Sequence, residues 1–328
     1  MKTIDVYGLG NGIVDVLVEV TESEFQKLGF EKGTMALLDE SEQQRLISSL
    51  AGRDMKLVSG GSVANSIVLL SQLGGKAAFS CRLADDNYGL HYRSEFDGIG
   101  VDLPSPLRVG GQSGTSLIFI TPDAERTMRT SLGVSATFGN AEVDEDVIRQ
   151  SKWIFLEGYL FCNPASGHGA IEYACELAKK HNTKIALTLS DAWIMNEFRE
   201  AVEKTVQVAD LVFSNDGEAK ALAQVASGEE AFEKLKGEIP NLVVTLGKEG
   251  CLVKTEGFSG HTPSLQVDPV DLTGAGDAFA GSFLYGLISG TPAHEIPYRA
   301  NFLAAHVIQR IGARIHGDAK ELWESAGY

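Results

Sequence analysis

The feature that most constrains this chain is an alternation. Short apolar runs at residues 4–9, 77–83, 153–158, 184–189, 210–214 and 242–246 recur along the chain, and amphipathic stretches such as 62–73, 168–181 and 216–226 lie between them. Strand-length runs separated by helical patterns build βαβ units. They predict an α/β fold with a mostly parallel sheet covered by helices on both faces. The runs are nearly continuous in apolar character, as strands buried on both sides must be. Two regions depart from the pattern. Residues 13–39 and 109–132 read as strands and hairpins with polar alternation, the second turning at Thr121-Pro122-Asp123-Ala124. They are expected to form a small sheet on a single domain of 328 residues, and the sequence carries no internal repeat or clear linker.

Charge narrows the partners. With 28 basic against 44 acidic residues the formal net charge is −16, which argues against non-specific nucleic-acid binding, because that needs a basic footprint. A small anion remains compatible if the site builds its own positive potential. Cys81, Cys162, Cys175 and Cys251 are too sparse for a disulfide framework or a zinc site and fit a reducing cytosol. The N-terminus lacks the uninterrupted apolar stretch of a signal peptide. The longest apolar run, residues 278–288, falls short of the ~20 residues of a membrane span. Localisation is therefore expected to be cytoplasmic, with no membrane partner.

Several familiar patterns fail. Gly8-Leu9-Gly10-Asn11-Gly12-Ile13 approaches a dinucleotide fingerprint, but Ile13 stands where the third glycine belongs and a strand pattern follows. Gly247-Lys248 is followed by Glu249 rather than by serine or threonine, so no P-loop is present.

The informative segment is Asp271-Leu272-Thr273-Gly274-Ala275-Gly276-Asp277, with a strand-like Val267-Asp268-Pro269-Val270-Asp271 leading in and a long helical pattern following. A glycine-rich turn at a helix start exposes backbone N–H groups that have no partner inside the helix, and the helix dipole adds positive potential. A protein with net charge −16 can hold an anion there without a basic patch. Asp277, in the first turn, can take a proton from a hydroxyl attacking phosphorus while the N–H groups hold the transferring group. The same placement also suits an acid that only caps the helix.

The Asp271–Asp277 segment resembles the C-terminal signature of the ribokinase-like (PfkB) carbohydrate and nucleoside kinases. Gly60-Gly61-Ser62-Val63-Ala64-Asn65 is similar to their N-terminal signature, and Asn215-Asp216-Gly217-Glu218 to their N-x-x-E motif. The resemblance covers nearly the whole chain and implies roles. Asp277 would be the general base; Gly274, Ala275 and Gly276 the anion hole. Asn215 and Glu218 would order Mg2+ through water beside the phosphates of ATP. Asp15, Gly60, Gly61 and Asn65 would bind the acceptor. On the residues alone, Ser62 reads as an N-cap and N-D-G-E as a turn and helix start.

Within the family the chain is most similar to the adenosine kinase branch. Asp123-Ala124-Glu125-Arg126-Thr127 resembles that branch's lid hairpin, which implies a closing lid from residues 13–39 and 109–132 and a phosphate-binding Arg126. Tyr159, Leu160 and Trp193 would flank the base, with core packing as the alternative. Glu157, where a small residue is usual, and Asp191-Ala192-Trp193 depart from the branch and leave a sugar acceptor open. Thr245 and Gly247 would form part of the nucleotide wall, with Asn301 near the donor adenine. The resemblance also admits K+ held by backbone carbonyls, a ligation that leaves little trace in a sequence. The expectation is an ATP-dependent kinase of a small-molecule ribonucleoside, adenosine first. A sugar kinase acting on ribose or fructose, or a non-catalytic nucleoside-binding protein, is the alternative. Monomer and homodimer both remain open.

Overall fold

The computed structural model describes residues 2–123 and 125–327, so Ala124, at the tip of the expected turn, lies outside the described residues. The strands are β1 (Ile4–Leu9), β2 (Ile13–Glu19), β3 (Met35–Leu37), β4 (Lys56–Gly60), β5 (Ala77–Ser80), β6 (Gly114–Ile120), β7 (Arg126–Ser131), β8 (Ser151–Glu157), β9 (Lys184–Thr188), β10 (Leu211–Asn215), β11 (Asn241–Thr245), β12 (Cys251–Thr255) and β13 (Phe258–Thr262). The large sheet has the order β13-β12-β11-β10-β9-β8-β1-β5. It is parallel from β5 to β11, with β12 and β13 added antiparallel at one edge.

Side-chain alternation explains why this sheet takes helices on both faces. Val6, Phe79, Phe155, Ala186, Phe213 and Val243 join one core. Their neighbours Tyr7, Ala78, Ile154, Leu187, Val212 and Leu242 join the other. Residues adjacent along a strand point to opposite faces, so continuously apolar runs fill both layers. In the first core, Phe213 meets Phe155 and Phe283 edge-on, with ring centroids 5.7 and 5.6 Å apart. Such contacts contribute about 0.5–1.5 kcal/mol each beyond burial. They fix helix Ala275–Ser289 against the sheet. The same helix approaches helix Ser62–Gln72 so closely that a Cβ on Gly281 would lie 2.4 Å from the Ser66 carbonyl. Glycine there lets the two helices bring their first turns together.

The second sheet has the order β3-β7-β6-β2-β4. One face, through Val14, Val16, Val18, Leu117 and Phe119, packs into the first core. The expected small sheet is present, with corrections to its parts. Residues 13–39 are not strands alone: helix Glu22–Leu28 interrupts them, opened by a reciprocal Thr21–Glu24 capping box and closed by Gly29 in the left-handed region. Strand β4 also joins the sheet, beyond the expected boundaries, and runs directly into Gly60-Gly61. Val267–Asp271, strand-like in sequence, forms no strand; Pro269, which cannot donate to a ladder, and the lack of a pairing strand leave it as connecting chain. The tail segment 304–312 is helical only to Val307, within helix Ile296–Val307. Among the described residues no helix is long and apolar enough to cross a membrane.

Candidate active site

In open α/β sheets ligands bind outside the carboxyl ends of the strands, at the point where strand order reverses. From β1 the chain adds β5 on one side, and β8 lies on the other. Two of the expected site residues, Asn215 and Thr245, stand at this edge beside residues the motifs did not single out. Gly10 and Asn11 follow β1, Glu157 ends β8, Asp191 follows β9, Asn215 ends β10 and Thr245 ends β11.

Asp277 lies in the first turn of helix Ala275–Ser289. Ser62 Oγ donates to Asp277 Oδ1 at 2.6 Å and Asn65 Nδ2 donates to Oδ2 at 2.9 Å. Ser66 Oγ donates to the Asp277 carbonyl at 2.8 Å. The N-terminal Gly-Gly segment and the C-terminal glycine-rich segment thus meet at one carboxylate. Burial raises the Asp277 carboxyl to about 6, against the lowering effect of the Ser62 and Asn65 hydrogen bonds. A base near that value is ionised at neutral pH and still able to accept a proton.

The helix begins at Gly274, which has φ 81° and gives no side-chain cap. A Cβ there would lie 2.5 Å from Ala313 Cα, and the left-handed conformation itself disfavours other residues. Gly276 is exposed, with nothing within 4 Å of the place a Cβ would take. The Ala275 N–H is already turned to the Leu272 carbonyl at 3.3 Å, so the open donors centre on its neighbours. The Leu272 side chain is exposed.

Arg126, first residue of β7 and buried, crosses from the small sheet to the same loop. It pairs with Asp271 and donates to Thr273 Oγ1 at 3.2 Å. Burial pushes the Asp271 carboxyl up, but hydrogen bonds from Thr273 and Gly312, with Arg126, outweigh it and hold the group below its ordinary value.

Asp15, on β2, has its carboxylate against Gly60, where a Cβ would sit 2.9 Å from Oδ2. Burial raises it to about 6, with Arg126 and Arg314 pulling it down and Asp277 pushing it up. Asp15, Asn65, Arg126 and Arg314 line one cavity of about 790 Å3, walled also by Leu57 and Ile120. Gly61, not Ser62, is the N-cap of helix Ser62–Gln72 and offers no side chain to it. Glu157 supplies that cap from another strand: it accepts from Val63 N at 3.1 Å and from Asn11 N and Nδ2 at 3.2 and 2.9 Å. It is buried, and burial raises it to about 7.

Asn215 and Glu218 form a reciprocal capping box at helix Asp216–Ala223. Glu218 N donates to Asn215 Oδ1, while Asn215 N and Nδ2 donate to Glu218 at 2.9 and 2.7 Å. Burial raises Glu218 to about 7, with Asp191 adding to the rise. Burial raises the Tyr159 hydroxyl as well, and Asp191, Glu157, Glu218 and Asp277 push it further in the same direction. Both Glu218 oxygens accept from Asn215, and among the described residues no three His, Cys, Asp or Glu side chains cluster as a metal site, so a hydrated divalent cation would meet this carboxylate through its water.

The other expected contacts are less convergent. Leu160 is buried in the second core, Tyr159 is half-buried, and Trp193 is 42% exposed with its ring edge-on to Phe198. Thr245 Oγ1 donates to the Ser214 carbonyl, and Gly247 turns the chain with φ 57°. Asn301 is buried, with Nδ2 donating to the Thr262 and Pro263 carbonyls. Ser62, Asp271 and Arg314 carry contacts that the motif reading did not assign to them. Ser62 and Asp271 stood inside the motifs, whereas Arg314 had no signal.

A β-sheet edge of this type, a glycine-opened helix start and a held aspartate define a small-molecule kinase of α/β architecture. The model of the pfkB family carbohydrate kinases matches residues 34–319, and the chain belongs to that family. It is a phosphotransferase, and ATP, generally with Mg2+, is the donor its family uses. The crystal structure of adenosine kinase from Sinorhizobium meliloti is similar with TM-score 0.87 and 32% identity, over 99% of each chain. A "probable sugar kinase protein" from Rhizobium etli CFN 42 is similar with TM-score 0.88 and 30% identity, again over 99% of each. A ribokinase from Haemophilus influenzae is 27% identical over 81% of this chain and 86% of its own length.

Proposed function

We propose that this kinase transfers the γ-phosphoryl of ATP to the 5′-hydroxyl of a ribonucleoside, adenosine first. One observation carries the reading: Asp277 stands at an open helix N-terminus, held by Ser62 and Asn65 from the helix that follows Gly60-Gly61. Asp277 takes the proton of the attacking hydroxyl. The new P–O bond forms at the γ-phosphorus as its bond to the ADP oxygen breaks, and ADP leaves with that electron pair. The N–H groups at Gly274 and Gly276, with Ala275 between them, receive the phosphoryl oxygens. Asp15 and Asn65 orient the acceptor hydroxyls beside Gly60 and Gly61. Arg126 exchanges part of its contact with Asp271 for phosphate as the small sheet, acting as a lid, closes. Asn215 and Glu218 would hold hydrated Mg2+, which supplies charge neutralisation at the phosphates. Tyr159 and Trp193, with Leu160 behind them, would flank the base; Thr245, Gly247 and Asn301 would border the donor. The adenosine kinase similar over 99% of both chains supports the nucleoside acceptor.

A second reading, a sugar kinase for ribose, fructose or a similar sugar, is favoured by one specific feature. Among the described residues the cavity beside Asp15 is lined by no phenylalanine, tyrosine or tryptophan. An aromatic face is what a purine ordinarily stacks on. ADP release measured with adenosine, inosine, guanosine, cytidine, ribose and fructose separates the two. Turnover with adenosine and none with the free sugars is expected. Turnover confined to ribose or fructose would overturn the nucleoside reading and leave the kinase chemistry in place.

A further inference from the structure

We propose that Arg314 is a positioning residue of this active site, fixing the amide of Asn65 so that its NH2 side faces Asp277. The inference rests on Asp277 being the base. It concerns a residue that lies in the loop after helix Ile296–Val307, outside every motif of the sequence.

The argument starts from what an asparagine side chain can do. Its two ends are nearly equal in shape and opposite in hydrogen bonding: one accepts, the other donates. A carboxylate only accepts, so Asn65 helps Asp277 in one of its two orientations and repels it in the other. Asn65 Nδ2 donates to Asp277 Oδ2 at 2.9 Å. On the far side Arg314 Nε donates to Asn65 Oδ1 at 3.4 Å. A guanidinium has donors and no acceptor and stays charged, so it tolerates only the oxygen end of the amide. The orientation that serves Asp277 is the one Arg314 selects.

Arg314 is itself held rigidly. Nη1 donates to Glu95 Oε1 at 2.5 Å, and Nη2 donates to Ser59 Oγ at 2.8 Å and to the Ser59 carbonyl. Glu95 Oε2 accepts from Ser59 N at 2.9 Å and faces His91 Nε2 at 3.4 Å. The fork therefore ties helix Asn87–Ile99, strand β4 and helix Ser62–Gln72 to the loop whose Gly312 N–H donates to Asp271. Its charge also acts on Asp15, the other acceptor-side carboxylate, and on Tyr92. Among the described residues, Asp15 from β2, Glu157 from β8 and Tyr159 beyond it are titratable groups that act electrostatically with Asp277. Arg126 from β7 faces Asp15. Arg314 is thus the cation on the Asn65 side of a site otherwise crowded with carboxylates.

The test compares wild type, Arg314→Met, Asn65→Ala, the double variant and Asp277→Asn by kcat, acceptor KM and the pH dependence of kcat. Arg314→Met is expected to lower kcat about tenfold and to lose most of that effect in the Asn65→Ala background, a coupling of the size contacting residues show. The acid limb of kcat should move upward, because Asp277 loses a hydrogen bond that favours its ionised form. Arg314→Lys should restore only part of the rate, since an ammonium keeps the charge but not the fork. A penalty carried in full by the double variant, or an unmoved acid limb, overturns the proposal. If Asp277→Asn retains turnover, it is the base assignment that falls instead. Should Arg314→Met not fold once Glu95 loses its guanidinium partner, Arg314→Gln with Glu95→Gln neutralises both partners. The same coupling to Asn65 is then expected, and its absence overturns the proposal.

Discussion

Two helices begin at the same edge of the large sheet and begin in opposite ways. Helix Asp216–Ala223 starts with its end already satisfied, Asn215 and Glu218 each bonding the other's backbone. Helix Ala275–Ser289 starts at a glycine with no side-chain cap and with its first turn exposed at Gly276. A capped terminus has given its N–H groups to the protein; an uncapped one keeps them for a ligand. The difference separates two kinds of charge handling. The open end suits the oxygens of a transferring phosphoryl. The closed end keeps the Glu218 carboxylate buried against Asn215, near Asp191 and Tyr159. Helix Ser62–Gln72 stands between the two, open at Gly61 and capped across the sheet by Glu157.

The sharpest way to break this contrast is at the open end. Asp277→Asn keeps the shape and can still accept from Ser62 Oγ, but it cannot take a proton. Its kcat is expected to fall about 10^3-fold, within the range for a positioned general base. Nucleotide affinity, measured by titration calorimetry, should change little. A kcat within a few-fold of wild type would reduce Asp277 to a capping acid and make the two helix starts equivalent in function.

A second contrast runs through pH. Burial raises Asp15 and Asp277 from 3.8 to about 6, and Glu157 and Glu218 from 4.5 to about 7. Between these values the folded chain holds protons that the unfolded chain has released. The stability they contribute is full below the ordinary carboxyl range and is lost as pH rises through 6 to 7. Activity runs the other way, rising as Asp277 ionises. The melting temperature should therefore fall by several degrees between pH 5 and 8 while kcat climbs. Carboxyls held low, such as Asp123 and Glu24 at about 2, titrate below this window. Asp15→Asn removes one titration, worth about 1–2 kcal/mol after allowance for residual solvent contact, and should flatten the stability slope. An unchanged slope in that variant would mean that Asp15 is ionised in the fold throughout.

How much of this was readable beforehand follows the range of the interactions. β1 is legible to the residue because Val6–Leu9 is buried on both faces. Helix Glu22–Leu28 was missed although Thr21 and Glu24 spell its capping box, because period-two polarity on either side dominated the reading. The motifs located Asp277, Asn65, Asn215 and Glu218, each beside a glycine-bearing turn. The meeting of Ser62 with Asp277, 215 residues apart, needed the close approach at Gly281. Arg314 was invisible: its partners Ser59, Asn65 and Glu95 lie 219 to 255 positions away, and a lone arginine in a loop has no pattern. Glu157 was noticed as a departure, yet its task, capping a helix from a neighbouring strand, is a property of the assembled sheet and not of its own segment.

The smallest expected effect lies at the closed end. Asn215→Ala removes the N-cap of helix Asp216–Ala223 and should cost about 1 kcal/mol, or roughly 1–2 °C of melting temperature in a chain of this size. Asn215→Asp keeps a competent cap, so its melting temperature should stay close to wild type at pH 8. It also sets a second carboxylate against Glu218, which raises Glu218 further and makes the variant's dependence on Mg2+ steeper. The two variants thus divide what one residue does. If Asn215 only caps, Asn215→Ala loses stability with an unchanged KM for MgATP, and Asn215→Asp behaves as wild type in both. If it also orders the cation's water, Asn215→Ala raises that KM at saturating acceptor while Asn215→Asp shifts the Mg2+ concentration at half-maximal rate. Equal melting temperatures in all three proteins would show that the reciprocal box adds nothing to the helix, and the contrast between the capped and the open terminus would then rest on Gly274 alone.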